Sequence, residues 1–125
     1  KYDKKNTLQF VDIIEFFHEK IENLNPYHDP SKEVVIHHTC SGQKMQQEIM
    51  MEEVVRSLAG NVVTPHVNGC CGSAGDRGLF FPELTNSASD NCANSYPEFS
   101  NKAVGVSSSK MCEISISKST DSLIL

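Results

Sequence analysis

What the chain is short of narrows its function first. Basic charge is scarce: 11 Lys and Arg stand against 16 Asp and Glu, for a formal net charge of -5 at pH 7. No basic stretch exists to release counterions from phosphates, which argues against a nucleic-acid surface. No apolar run reaches membrane-spanning length. No secretory leader is expected, because Lys1 opens a charged segment that passes into a helical pattern. Lys1 in place of a starting methionine is what an excised piece of a longer protein would show. There is no internal repeat and no long linker, and Ser107–Ser109 is too short to count as low complexity. Local motifs suggest no Ser-His-Asp arrangement, and isolated carboxylates give no glycosidase signal. The closely spaced four-cysteine run of a ferredoxin is also missing.

What remains is a polar, globular composition with a concentration of sulfur. The 125 residues are 38% hydrophobic, which fits a single domain with one moderate core. Five cysteines occur, at 40, 70, 71, 92 and 112. An odd count without a leader speaks for reduced thiols in a cytoplasmic setting rather than a disulfide scaffold. Cys70 and Cys71 are adjacent and lead into Gly72-Ser73-Ala74-Gly75-Asp76-Arg77-Gly78. A disulfide between neighbours closes a small strained ring, and consecutive thiols cannot both enter one core. The pair suits soft metal coordination or redox chemistry better.

Periodicity predicts the elements that carry these residues. Residues 7–24 read as an amphipathic helix with Phe10, Ile14, Phe17, Ile21 and Leu24 on one face and Asn6 or Thr7 as its cap. Asn25-Pro26 and His28-Asp29-Pro30-Ser31 make the loop that follows. Val34–His38 is a short β-branched strand, Cys40-Ser41-Gly42 a turn, and 43–58 a second helix, with Met45, Ile49, Val54 and Leu58 inward and Gly60 as its stop. Asn61–Pro65 is a second strand, about 85–95 a third helix, and Lys102–Val106 a third strand. A short helix then contains Cys112, and Asp121–Leu125 reads as a fourth strand. This alternation predicts an α/β fold: one layered domain over 1–125, with a short, mainly parallel four-stranded sheet flanked by helices.

Strand order then gathers the sulfur. Cys40 follows the first predicted strand, Cys70 and Cys71 the second, and Cys112 the third. In a parallel sheet those strand ends share one edge, where ligand sites of open α/β sheets form. Cys40 and Cys112 also lie near predicted helix N-termini, which favour a thiolate. Cys92 sits mid-helix and reads as a buried small hydrophobe outside the group. His37 and His38 alternate onto opposite faces; imidazole binds iron and zinc well, but strand packing is the default for both, and His66 is placed similarly. His18 and His28 read as surface. Asp76 and Arg77 read as fixing their own loop, with contact to a substrate carboxylate or a partner domain as the alternative. The glycines at 72, 75 and 78 lack the spacing of a dinucleotide fingerprint. Met45, Met50 and Met51 read as core and surface filler, and Glu52-Glu53 and Glu15-Glu19 as solvated helix faces.

The pattern Cys40 … Cys70-Cys71-Gly72 … Cys112 resembles the cysteine-rich CCG domain of heterodisulfide reductases, glycolate oxidase iron–sulfur subunits and related FAD-linked dehydrogenases. His37-His38-Thr39-Cys40-Ser41, the run from Cys70 to Gly78 and Pro82-Glu83-Leu84 resemble the C-terminal part of bacterial FAD-linked D-lactate dehydrogenases, over about residues 8–125. The resemblance implies an iron–sulfur electron-transfer domain with Cys40, Cys70, Cys71 and Cys112 as metal ligands. It implies FAD, a ferredoxin-like domain and a second CCG domain elsewhere in the protein or complex. A D-2-hydroxy acid would be oxidised there, and electrons would pass toward a quinone, with peripheral membrane association of the full enzyme. The piece alone is then expected to be inactive. The family motif ends in Cys-x-x-Cys, whereas Ser109-Lys110-Met111-Cys112 begins with serine, a poorer ligand. The ligand set is therefore expected to draw on a partner domain. The competing expectations are a zinc-binding or metal-free interaction module and a thiol–disulfide redox domain.

Overall fold

The computed structural model describes residues 10–120. Its centre is a parallel sheet of three strands, β1 (Asp29–His37), β2 (Ala59–Val63) and β3 (Val104–Ser107), in the order β2-β1-β3. The run Val34-Val35-Ile36 explains why β1 takes the middle. A central parallel strand is covered on both faces, so it reads as a continuous apolar run rather than an alternating one. Val34 pairs with Val62 and Val104, Val35 with Val63 and Gly105, and His37 with Ser107.

Six helices accompany the strands among the described residues: α1 (Ile13–Leu24), α2 (Cys40–Lys44), α3 (Glu48–Arg56), α4 (Arg77–Phe80), α5 (Pro82–Ala93) and α6 (Lys110–Thr120). α1 packs on α3, and α5 packs on α6. Two buried clusters result. Ile36 joins Met51 and Val55 of α3, with Ile14, Val34, Val62 and Val106 around them. Cys71, Cys92, Cys112 and Ile116 form the other, with Tyr96 against it. Strand alternation accounts for the division: Val34 and Ile36 project to the α1–α3 side, and His37 projects toward the sulfur-lined one.

The expected α/β class and parallel sheet are present, but several elements differ from expectation. Three strands, not four, make up the described sheet. The expected strand at 121–125 and the caps Asn6 and Thr7 lie outside the described residues. α1 starts at Ile13, where the Asp12 carboxylate accepts a hydrogen bond from the Ile14 N–H at 2.8 Å. That cap leaves Phe10 outside the helix and exposed. The expected helix at 43–58 is two helices. Thr39 caps α2 through the Gly42 N–H, so the turn expected at Cys40 is already helical, and Gln46 at φ 57° breaks the chain before α3. The break rephases the second helix: Met51, Val54 and Val55 point inward, while Met45 and Ile49 are exposed.

Gly60 does not stop a helix; it lies in β2. A Cβ there would stand 2.1 Å from the Pro30 carbonyl oxygen, so only glycine lets the two backbones approach. This contact sits at the irregular register between Asp29 and Glu33, which lets Pro30 lie within the central strand. The predicted loop at 28–31 is therefore largely strand. β3 begins two residues later than expected, at Val104, and α5 begins at Pro82, whose missing N–H is harmless in a first helical turn. No helix among the described residues is long and apolar enough to cross a membrane.

Candidate metal centre

Because the strands are parallel, their carboxyl ends share one edge, and each is followed by a sulfur-bearing segment. β1 ends in His37 and runs through His38 and Thr39 to Cys40, the first residue of α2. β2 runs on to the Cys70-Cys71-Gly72 loop, and β3 leads through Ser107–Ser109 into α6 with Cys112. The Thr39 and Ser108 hydroxyls, 3.3 Å apart, join the first and third of these segments.

The Cys-Cys-Gly loop is held down by its glycine. Gly72 has φ 74°, and a Cβ on it would lie 2.7 Å from the Ala88 Cβ and 2.9 Å from the Leu84 carbonyl oxygen. The backbone thus lies against α5 in a conformation that L side chains avoid. This seating splits the adjacent cysteines: Cys70 is exposed and Cys71 is 3% exposed. Below it, the Ser73 hydroxyl is 3.3 Å from the Cys71 sulfur and 2.6 Å from the Ser115 hydroxyl of α6.

Cys71 meets Cys112, with the two Sγ atoms 2.9 Å apart and both thiols free. A His37 ring nitrogen and these two sulfurs all lie within 4.8 Å of one another, and all three residues are buried. His37 Nδ1 lies 3.6 Å from the Cys92 sulfur, while His37 Nε2 is buried without a hydrogen-bond partner. At the rim, Cys40 and Cys70 are both exposed and close enough to influence each other's ionisation.

The electrostatics name the charged atoms. The Cys112 thiol, 2.9 Å away, holds the Cys71 thiol well below its usual range despite burial, with further help from His37 and Ser73. Cys112, hydrogen-bonded to Cys71 and buried, is pushed up. Burial alone would depress His37, but Cys71 and Cys92 beside it outweigh that and raise it to about 9. In the metal-free core the surroundings thus favour the charged forms of Cys71 and His37. Helix N-termini do not set this pattern, contrary to expectation. Burial and the neighbouring Cys70 push Cys40 up, although it opens α2. Burial lowers His38, which faces Glu52 of α3 at 3.6 Å, on the side opposite His37.

Of the cysteines expected to converge, Cys71 and Cys112 meet in the interior and Cys40 and Cys70 meet at the rim. The group of ligand atoms within 4.8 Å of one another holds Cys71 and Cys112 with His37, and Cys40 and Cys70 stand outside it. Cys92 was expected to stand apart; instead it packs on Cys71 and Cys112 and holds His37. Its signal was available. Thr85, Ser89 and Cys92 are the buried residues of α5, spaced as one helical face of small side chains that lets another segment approach closely. His66 is exposed, as are Asp76 and Arg77 at the start of α4.

These donors suit a metal of borderline softness. A tetrahedral zinc site with metal–sulfur bonds near 2.3 Å separates its sulfurs by about 3.8 Å, so Cys71 and Cys112 need part by less than about 1 Å. Thiolate and imidazole together are zinc and iron ligands, and the unpartnered His37 Nε2 leaves a donor to be satisfied. Fold and site together define an α/β domain whose carboxyl edge carries a His–Cys–Cys group able to hold a metal ion. No family model matches the chain, and no curated protein or solved structure matches it.

Proposed function

We propose that this chain is a thiolate metal module that carries electrons for a flavin-linked oxidoreductase, of the D-2-hydroxyacid type that its CCG-like motif suggests. The observation that carries the reading is the gathering of Cys40, Cys70, Cys71 and Cys112 after three parallel strands, with Cys71 and Cys112 sulfurs 2.9 Å apart. A buried thiol held low beside a second thiol is placed to take a soft metal with little rearrangement, because the strand ends already position it. An iron–sulfur centre bound there would supply one-electron transfer. The chain's own contribution is to hold the sulfurs, keep water from Cys71 and Cys112, and present Cys40 and Cys70 at the surface. Those two exposed thiols are where a second CCG domain would complete the ligand set. FAD, the hydroxy acid and the quinone belong to the remainder of such an enzyme.

Anaerobic addition of iron and sulfide tests the reading. The expected result is charge-transfer absorption in the visible that is lost on replacing Cys71 or Cys112 by serine. No absorption, or identical absorption from those variants, sinks it. The chain alone is expected not to oxidise D-lactate, and turnover without an added flavoprotein would overturn that part.

A second reading rests on the same 2.9 Å approach. Two thiols this close, one held well below its usual range, are arranged to form a disulfide with an external disulfide as the oxidant. The free-thiol count would then fall by about two per chain on oxidation and recover with dithiothreitol.

A further inference from the structure

We propose that His37 is a metal ligand, so that the interior of the centre is a mixed imidazole–thiolate site for a borderline-soft divalent ion of the ferrous or zinc kind. This rests on the metal-binding reading above and changes the donor set that the cysteine pattern suggests.

His37 closes the central strand, and its register opposite Ser107 fixes its place beside the segment that leads to Cys112. One of its ring nitrogens lies within 4.8 Å of both the Cys71 and Cys112 sulfurs. The side chain is 3% exposed, and Nε2 has no hydrogen-bond partner. Buried polar atoms in folded proteins are almost always paired, so one left open on a residue beside two thiols marks a place for a further group. Nδ1 is 3.6 Å from the Cys92 sulfur. Ligating histidines are normally steadied through the second nitrogen by an acceptor of this kind, which fixes tautomer and ring orientation. Cys92 therefore acts on the metal through His37, as a positioning residue.

Ser109 supplies the reason for an imidazole here. It stands one helical turn before Cys112, where another thiolate would complete a sulfur set. A serine hydroxyl is a poor ligand for these metals, whereas neutral imidazole is a good one. His37, Cys71 and Cys112 would then hold the ion from β1, the Cys-Cys-Gly loop and α6, with a fourth ligand still to be supplied.

Anaerobic titration of the whole chain with Co(II) tests this, read by absorption. The wild type is expected to bind one Co(II) with the visible bands of tetrahedral coordination and near-ultraviolet thiolate charge transfer, both lost in Cys71→Ser and Cys112→Ser. His37→Ala and His37→Gln should weaken binding at least tenfold and shift the visible bands, while far-ultraviolet circular dichroism confirms the fold. His37→Cys should restore affinity with added thiolate intensity. Cys92→Ala should weaken binding and keep the band positions. If His37→Ala and His37→Gln keep the wild-type affinity and bands while Cys71→Ser loses them, His37 is not a ligand and only this inference fails. If the wild type shows no tetrahedral bands, the metal reading fails with it.

Discussion

Replacing Gly72 by alanine tests whether the Cys-Cys-Gly loop is seated on α5. Gly72 and Gly75 share φ 74°, yet their surroundings differ completely. A Cβ at 72 would meet the Ala88 Cβ at 2.7 Å, the Leu84 oxygen at 2.9 Å and the Thr85 Cα at 3.0 Å, whereas one at 75 meets nothing within 4 Å. Left-handed backbone costs a residue with a Cβ roughly 1–2 kcal/mol at either position. Forcing a methyl into packed neighbours adds about 1–3 kcal/mol, and only at 72. Gly72→Ala should therefore lose roughly 2–5 kcal/mol and Gly75→Ala roughly 1–2 kcal/mol. With a urea slope of about 1–3 kcal/mol per molar, the two midpoints should separate by about 1 M. Urea melts in reducing buffer, followed by far-ultraviolet circular dichroism, give both midpoints. Coincident midpoints would show that the loop does not lie against α5, and Cys71 would lose the contact that buries it.

The remaining predictions concern the charges, the cap and the metal. In the metal-free protein Cys71 is depressed and His37 is raised to about 9 from 6.5. The Cys71 contribution to stability is lost as pH falls through its lowered value, and that of His37 is full below 6.5 and lost as pH rises toward 9. Below 6.5 the unfolded chain binds one more proton than this pair, so stability should rise with pH; from 6.5 to 9 the two contributions cancel and the curve should level. Denaturant midpoints across that range check the shape, and thiolate absorbance at about 240 nm should fall on unfolding at pH 6 if Cys71 carries the charge. Thr39→Ala removes the cap of α2 and its link to Ser108, and should lower stability by about 1 kcal/mol in thermal melts. Zinc at about a hundredfold its dissociation constant should stabilise the wild type by about 2.7 kcal/mol and leave Cys71→Ser unmoved in the same assay.

Element type was legible where one periodicity dominated. The β-branched run at 34–36 announced a buried strand, and strand–helix alternation announced a parallel sheet. Boundaries failed where one side chain decides them. Asp12 captures the Ile14 N–H and starts α1 late, and Gln46 in the left-handed region splits what looked like one helix. Neither effect has a periodic signature. The strand start at Asp29 was hidden because Asp-Pro-Ser reads as a turn, and its extended state depends on Gly60 of another strand. Parallel strand ends brought the cysteine segments together in outline. What strand order could not give was depth: Cys70 and Cys71 differ by one residue in sequence and divide between rim and interior only because Gly72 lies on α5. His37 was weighed as a possible ligand with strand packing as the default, and its meeting with Cys92 was not legible, since it depends on which face of α5 turns inward.

The two faces of the sheet are built to different ends. Toward α1 and α3, the core is Ile36, Met51 and Val55, side chains that each contribute about 1.5–3 kcal/mol when fully buried. Toward α5 and α6 the buried set is Cys71, Cys92, Cys112 and Ile116, with a histidine nitrogen left unpartnered and serine hydroxyls at 73 and 115 among them. Thiols bury less apolar surface than leucine or isoleucine, and an open buried nitrogen costs about 1–3 kcal/mol. A chain selected for stability alone would fill this space with aliphatic side chains. Concentrating this cost at the carboxyl ends of parallel strands, where α/β sheets place their ligands, is the physical argument that this face exists to hold something.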